Sequence, residues 1–305
     1  AIEVAPFDRF YPESETASVG TALVREAENV FEESDGAIIF KGEAVGLHTR
    51  VFITRENLPT YETKDLGVIK LEHDEYSFDK RILITGNDQT EYMKVVFAVA
   101  ARVMPDVAQK MTHLTNGTIR FGDGQKMSSR LGNVSRAVDV IDGAGQLVEA
   151  DTDDLRKILS LGAVKYSFLK QRFGADIAFN LEESVSLHGN SGPYLQYAFV
   201  RAHSILQKAN IDNSDVTIEF TSGERAFAQK MGQFEIVMAA AARELAQQII
   251  CTYLYELAQS FNRFYEDNRV IEDERQALRL LLVDRYAQIL REGLTVLGIR
   301  VPEKM

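Results

Sequence analysis

The sequence predicts an α/β region over roughly its first half and an all-α region over its second. Three observations carry this. Up to about residue 150, segments with helical spacing alternate with short apolar runs of strand type. After Asp151 the strand signals mostly stop. The chain has 305 residues, 45% of them hydrophobic and 26% charged, enough for two or three proper cores of ordinary soluble composition.

In order, "VGTALVREAENVFEES" sets Val19, Leu23, Val24, Ala27 and Val30 among acids, as an amphipathic helix does. "GAIIF" and "RVFITR" read as short strands on either side of a turn. "YETKDLGVIKLEHDEY" reads as a helix, "RILITG" as a buried strand, and "TEYMKVVFAVAARVM" as a helix with a wide apolar stripe. A strand-like segment follows around "HLTNGTIRF". Such alternation predicts a mostly parallel sheet covered by helices, with ligands at the carboxyl ends of its strands. "ITGNDQ" is therefore a candidate site.

In the second half, "TDDLRKILSLGAVKYSFLKQR" opens with Thr152 as an N-cap and acids in its first turn. "GPYLQYAFVRAHSILQKA" has Pro193 near its start, where the missing N–H costs nothing. "NIDNSDVTIEFTSGE" is a polar linker. Two long helices are expected after it, from about Glu224 to Glu266 with a break, and from Asp273 to Leu297. The second half is thus a helical bundle, and the expected division is residues 1–150 and 151–305.

The net charge of −11 argues against nucleic-acid binding driven by the field of the whole molecule, but leaves room for a local basic groove. Cys251 is the single cysteine, so no internal disulfide and no cysteine metal cluster can form, and a reducing cytoplasm is the expected compartment. No apolar run reaches the length of a membrane span. No cluster of His, Cys and Asp stands at metal-ligand spacing.

The stretch "FGDGQKMSSRLGNV" has neither helical nor strand periodicity. Its glycines allow sharp turns that bring several backbone N–H groups together, and with Lys126 and Arg130 beside them this suits phosphate oxygens. A solvated surface turn has the same composition.

"KMSSRLGN" resembles the KMSKS signature loop of the class I aminoacyl-tRNA synthetases. "LPTYETKDLG" and "GNDQ", ahead of it in the right order, resemble the amino-acid site of the arginyl-tRNA synthetase family. "GPYLQYAFVRAHSIL" and the terminal "GLTVLGIRVPEKM" are similar to that family's anticodon-binding domain. The resemblance runs from "FDRFYPESE" to Met305. It implies the second half of a Rossmann-like class I catalytic domain followed by an anticodon-binding bundle.

It also implies roles. Tyr61, Asp65 and Gln89 would be the side-chain contacts to arginine. An arginine guanidinium has five donors in a rigid fork and needs a carboxylate and neutral acceptors, and Tyr61 and Asp65, spaced i, i+4, share a helix face. On the residues alone, Asp65 also reads as a solvated helix acid and Tyr61 as a core aromatic. The loop, through Gly124, Lys126, Met127, Ser128, Ser129 and Arg130, would face ATP, with any Mg²⁺ arriving with the nucleotide. Cations there would stabilise the charge that grows on departing pyrophosphate. The loop departs from the signature, since Ser129 stands where the second lysine is expected.

The bundle would read tRNA(Arg) through Tyr197, Arg201, Tyr265 and Met305. Aromatic and guanidinium planes stack on single-stranded bases, whereas Tyr253, Tyr255 and Phe261 read as core. The family's HxGH motif does not occur among the 305 residues, and none of the five histidines is spaced to form it. The chain is therefore expected to be the carboxyl-terminal part of such an enzyme, inactive as a ligase by itself. Two other readings stand beside this one. The first is a truncated synthetase-like module that holds tRNA or a protein. The second is another nucleotide-binding transferase with the same sheet.

Overall fold

The computed structural model describes residues 2–3, 5–121, 136–209 and 219–305. By packing, the chain divides into one compact unit of Ala5–Thr118 and a second of Ala1–Val4 with Ile119–Met305.

In the first unit, helix α1 (Glu13–Glu26) has acids in its first turn and Arg25 in its last, matching the helix dipole. Strands β1 (Glu32–Ser34), β2 (Ala37–Phe40) and β3 (Arg50–Ile53) form a sheet in that order. The sheet is antiparallel, which corrects the expectation of mostly parallel pairing for this region. Two local causes are visible. Asp35 and Gly36 both take left-handed backbone angles, φ 49° and 77°, the geometry of a two-residue hairpin. The β2–β3 link, with its 3-10 turn at Gly42–Val45, is shorter than the dozen or so residues a parallel crossover needs.

Helix α2 (Tyr61–Tyr76), strand β4 (Arg81–Gly86), helix α3 (Thr90–Val103), the short α4 (Pro105–Ala108) and strand β5 (Met111–Asn116) follow. Here the expected parallel pairing is present, from Arg81 opposite Met111 to Gly86 opposite Asn116, with α3 as the crossover. Phe40, Phe52, Ile53, Leu66, Ile69, Val95, Val96, Val99 and Ala100 make the core. The larger of these side chains contribute roughly 1.5–3 kcal/mol each on burial.

Two glycines set the orientation of α2. A Cβ on Gly20 would lie 1.9 Å from the Thr63 carbonyl oxygen, and one on Gly67 2.0 Å from that of Thr16, so α1 and α2 cross backbone to backbone. Tyr61 and Asp65 each precede Thr63 and Gly67 by two residues, about 200° round the helix. With one face locked against α1, Tyr61 and Asp65 are turned away from that helix.

In the second unit, β6 (Ile119–Phe121) pairs in parallel with β7 (Ile177–Phe179). Between them lie α5 (Ala137–Leu147) and α6 (Asp153–Leu169), the latter capped by Thr152, whose Oγ1 accepts from the Leu155 N–H at 3.2 Å. The short α7 (Leu181–Ser184) leads to α8 (Gly192–Lys208), with Pro193 in its first turn. The remaining helices are α9 (Ser222–Met231), α10 (Phe234–Glu244), α11 (Gln248–Asp267) and α12 (Gln276–Val296). The single broken helix expected between Glu224 and Glu266 is thus three helices. One break falls at Gly232 and Gln233, the other at Leu245, whose φ is 52°.

Leu195, Phe199, Phe227, Leu254, Leu257, Phe261, Tyr286 and Leu290 fill the bundle core. Phe261 stacks on Tyr286 at 4.2 Å between centroids. One acid is buried with them. Glu224, with no solvent exposure, closes a capping box with Thr221 and accepts from Arg275 Nε at 2.9 Å and Arg279 Nε at 3.0 Å. The bond from Arg275, above all, holds its carboxyl down to about 2.

Candidate functional site

Helix α2 presents Tyr61 and Asp65 one turn apart, and the turn Asn87–Gln89 leaves the carboxyl end of β4 just before α3 begins. These segments converge. A cavity of about 420 Å³ is lined by Arg50, Tyr61, Glu62, Asp65, Thr85, Gln89, Tyr92 and Met93. It therefore gathers all three side chains expected to contact an amino acid. Neither plainer reading of the α2 pair fits, because Tyr61 is 68% exposed rather than core and Asp65 is partly buried rather than solvated.

The charges of the cavity are unequal in their partners. Glu62, which is buried, pairs with Arg50 Nη1 at 3.5 Å. Asp65 accepts a hydrogen bond from the neutral Tyr92 hydroxyl. Burial raises the Asp65 pKa, with the Tyr92 bond and the Arg81 charge acting the other way. Tyr92 is pushed well above the ordinary phenol value, by burial first and by Asp65 second, so it remains a donor. Thr85 joins the wall and meets His113 Nε2 at 2.8 Å, while burial lowers the pKa of His113.

The sequence did not single out Arg50, Glu62, Tyr92 and Met93, whereas Thr85 lies in the "ITGNDQ" segment it placed at a site. For two of them a signal existed. Glu62 lies i, i+3 from Asp65, and Tyr92 lies i, i+3 from Gln89. Nothing in the local pattern of "TRVFITR" points Arg50 at α2.

In the bundle, Arg201 on α8 lies with its guanidinium over the Tyr265 ring at 4.6 Å, and its Nη1 donates to Asn262 Oδ1 at 3.3 Å. Asn262 Nδ2 donates in turn to the Tyr194 hydroxyl at 3.0 Å. Tyr197 and Met305 are 44% and 40% exposed. The arrangement joins Arg201 to Tyr265 directly. Tyr253 and Phe261 are core, as expected, while Tyr255 is half-buried against Tyr194. Gly124, Lys126, Met127, Ser128, Ser129 and Arg130 lie outside the described residues. Among the described residues no group of three or more His, Cys, Asp or Glu is placed to hold a metal ion, and no helix is long and apolar enough to cross a membrane.

Residues 195–305 match the family model of the DALR anticodon binding domain. An arginine–tRNA ligase of Porphyromonas gingivalis is 30% identical over 325 aligned positions, which cover 98% of this chain and 54% of the relative. One of Lactococcus lactis is 32% identical, over 98% of this chain and 56% of the relative. The chain thus spans about half the length of the curated relatives it matches. Among solved structures, Thermus thermophilus arginyl-tRNA synthetase superposes with a TM-score of 0.85 at 26% identity, over 96% of this chain and 58% of the other. The Plasmodium falciparum arginyl-tRNA synthetase, at 19% identity and covering all of this chain and 55% of the other, shares the fold with the same TM-score. Residues 19–181, more than half of the chain, match the model of the class I tRNA synthetase (R) catalytic domain, and the chain belongs to that family.

Proposed function

We propose that this chain supplies the arginine pocket, the nucleotide loop and the anticodon-binding bundle of an arginine–tRNA ligase. The observation that carries the reading is the meeting of Tyr61, Asp65 and Gln89 in one cavity with Glu62 already paired to Arg50. Asp65 then offers the carboxylate for an incoming guanidinium, while the Gln89 amide and the Tyr61 hydroxyl offer neutral acceptors. Hydrogen bonds to a charged group of this kind contribute about 1.5–3 kcal/mol each.

The chemistry assigned is attack of the arginine carboxylate on the α-phosphate of ATP, with pyrophosphate leaving. Lys126 and Arg130 would balance the charge that develops, and Gly124, Met127, Ser128 and Ser129 would add loop amides and hydroxyls. Mg²⁺ would come with the nucleotide, and the cytoplasm is the compartment this reading assigns. Residues 1–150 would serve activation and residues 151–305 tRNA(Arg), with Tyr197, Arg201, Tyr265 and Met305 at the anticodon.

Titration calorimetry of the 305-residue chain with L-arginine, with L-lysine as control, tests the pocket. Saturable arginine binding, weakened at least 100-fold in Asp65→Ala, is expected, and arginine binding no tighter than lysine binding would reject the reading. Mixed with ATP, arginine and tRNA, the chain by itself is expected to form no arginyl-tRNA, because it contains no HxGH segment. Turnover would overturn the assignment of essential groups. A synthetase-like module that only holds tRNA or a protein would show tRNA binding without arginine binding.

A further inference from the structure

The pocket has a member whose part in recognition no motif announces. We propose that Tyr92 is its positioning residue: the hydroxyl fixes one oxygen of Asp65 so that the other is turned to the ligand, and the ring seats Arg50, which occupies Glu62. This inference rests on the reading that the cavity takes arginine, and it names what sets the selectivity of that site.

A carboxylate on a two-torsion side chain swings freely unless one oxygen is held. Tyr92 holds Oδ2 of Asp65. The bond runs in one direction, since an ionised carboxylate only accepts and a protonated phenol is the donor. Tyr92 also sits in the first turn of α3, three residues after Gln89, so one rigid helix start carries both the anchor of Asp65 and the amide expected to share the ligand. Its ring lies 5.8 Å from the Arg50 guanidinium, which in turn reaches Glu62 at 3.5 Å. The two acids of the cavity are thereby made unlike, Glu62 facing a cation from β3 and Asp65 a neutral phenol from α3. A pocket so arranged takes one positive charge, and favours a planar fork over a point-like ammonium.

The remaining charges that act on Asp65 are Arg81 from β4, Glu62 on the same helix and Glu13 from α1. Of these influences, the Tyr92 bond and Arg81 favour the ionised form. Losing the bond therefore raises the pH below which Asp65 is protonated and a cation is released.

The test compares the 305-residue chain with Tyr92→Phe and Tyr92→Leu, by calorimetric titration with L-arginine and with L-lysine between pH 4.5 and 8. Tyr92→Phe keeps the ring and is expected to weaken arginine roughly 10- to 100-fold. It should also reduce the preference for arginine over lysine and move the acid limb of binding to higher pH. Tyr92→Leu should weaken arginine further, since Arg50 loses its seat. Circular dichroism melts accompany both, and if Tyr92→Leu does not fold, Tyr92→Phe decides. Arginine binding by Tyr92→Phe with wild-type affinity, selectivity and pH midpoint overturns the proposal while leaving the arginine reading intact. Absence of arginine binding by the wild-type chain overturns the arginine reading, and this inference with it.

Discussion

Asp65 in the first unit and Glu224 in the second are both acids taken out of water, and their surroundings treat them in opposite ways. Glu224 is fully buried, accepts from two arginines and from the Thr221 N–H, and has its pKa lowered to about 2. Asp65 is partly buried, meets a neutral phenol, and has its pKa raised. The first has its countercharges built into the chain, so its free energy is already realised in the fold. The second carries a desolvation cost that an incoming cation would offset, which is the pattern of a binding site and not of a structural ion pair.

If that contrast is sound, the largest effect on stability belongs to the acid that binds nothing from outside. Glu224→Ala takes a carboxylate from both Arg275 and the buried Arg279, leaving Arg279 with Asp273 and the Arg269 carbonyl, and is expected to lower stability by about 1.5–3 kcal/mol in denaturant melts. A loss under about 1 kcal/mol would mean that the acceptors the two arginines keep, Asp273 and the carbonyls of Arg269 and Glu219, suffice for them. The acid response follows with its own sign. The carboxyl of Glu224 is depressed below its ordinary value of 4.5, so the stability it contributes is present above that pH and is lost as the pH falls from about 4.5 towards 2. The loss is on the order of 3 kcal/mol, read as a steeper acid limb in wild type than in Glu224→Gln.

The same contrast marks what could be read from one dimension. Tyr61, Asp65 and Gln89 were legible through the family resemblance, with which helical spacing and a strand-end position agree without singling them out. Arg50 was not, because its place opposite Glu62 depends on how β3 meets α2, and periodicity speaks only within an element. The α1–α2 crossing was equally hidden. Gly20 and Gly67 each look like a weak point in a helix until the facing carbonyl is known. The antiparallel β1–β2 pair did have a local sign in Asp35–Gly36, which the alternation of helices and strands overrode. In the bundle, Gly232 marked one break of the long helix, whereas Leu245 carries no residue signal at all. The "KMSSRLGN" loop is legible as a motif only.

Between the extremes lies Arg201, which among the described residues is neither paired to an acid nor alone. Its guanidinium rests on Tyr265 and is tied through Asn262 to Tyr194. Such a cation keeps its charge available for phosphate or for stacking on a base. Arg201→Ala is expected to cost about 1–3 kcal/mol of tRNA affinity in filter binding, with a weaker dependence on salt. Unchanged affinity and salt slope would remove it from the interface.

The smallest effect is the most telling for Asp65. Because its pKa is raised above the usual 3.8, the folded chain holds that proton more tightly than the unfolded chain does, and ionising it in the fold costs stability as the pH rises past that range. Asp65→Asn removes the cost and still accepts the Tyr92 hydrogen bond. The variant should therefore melt above wild type at pH 7, a gain that fades as the pH falls towards 3.8, while arginine binding is lost. A melt at pH 7 below that of wild type would mean that the carboxylate is held as Glu224 is, by charge already in the chain, and the distinction between the two acids would disappear.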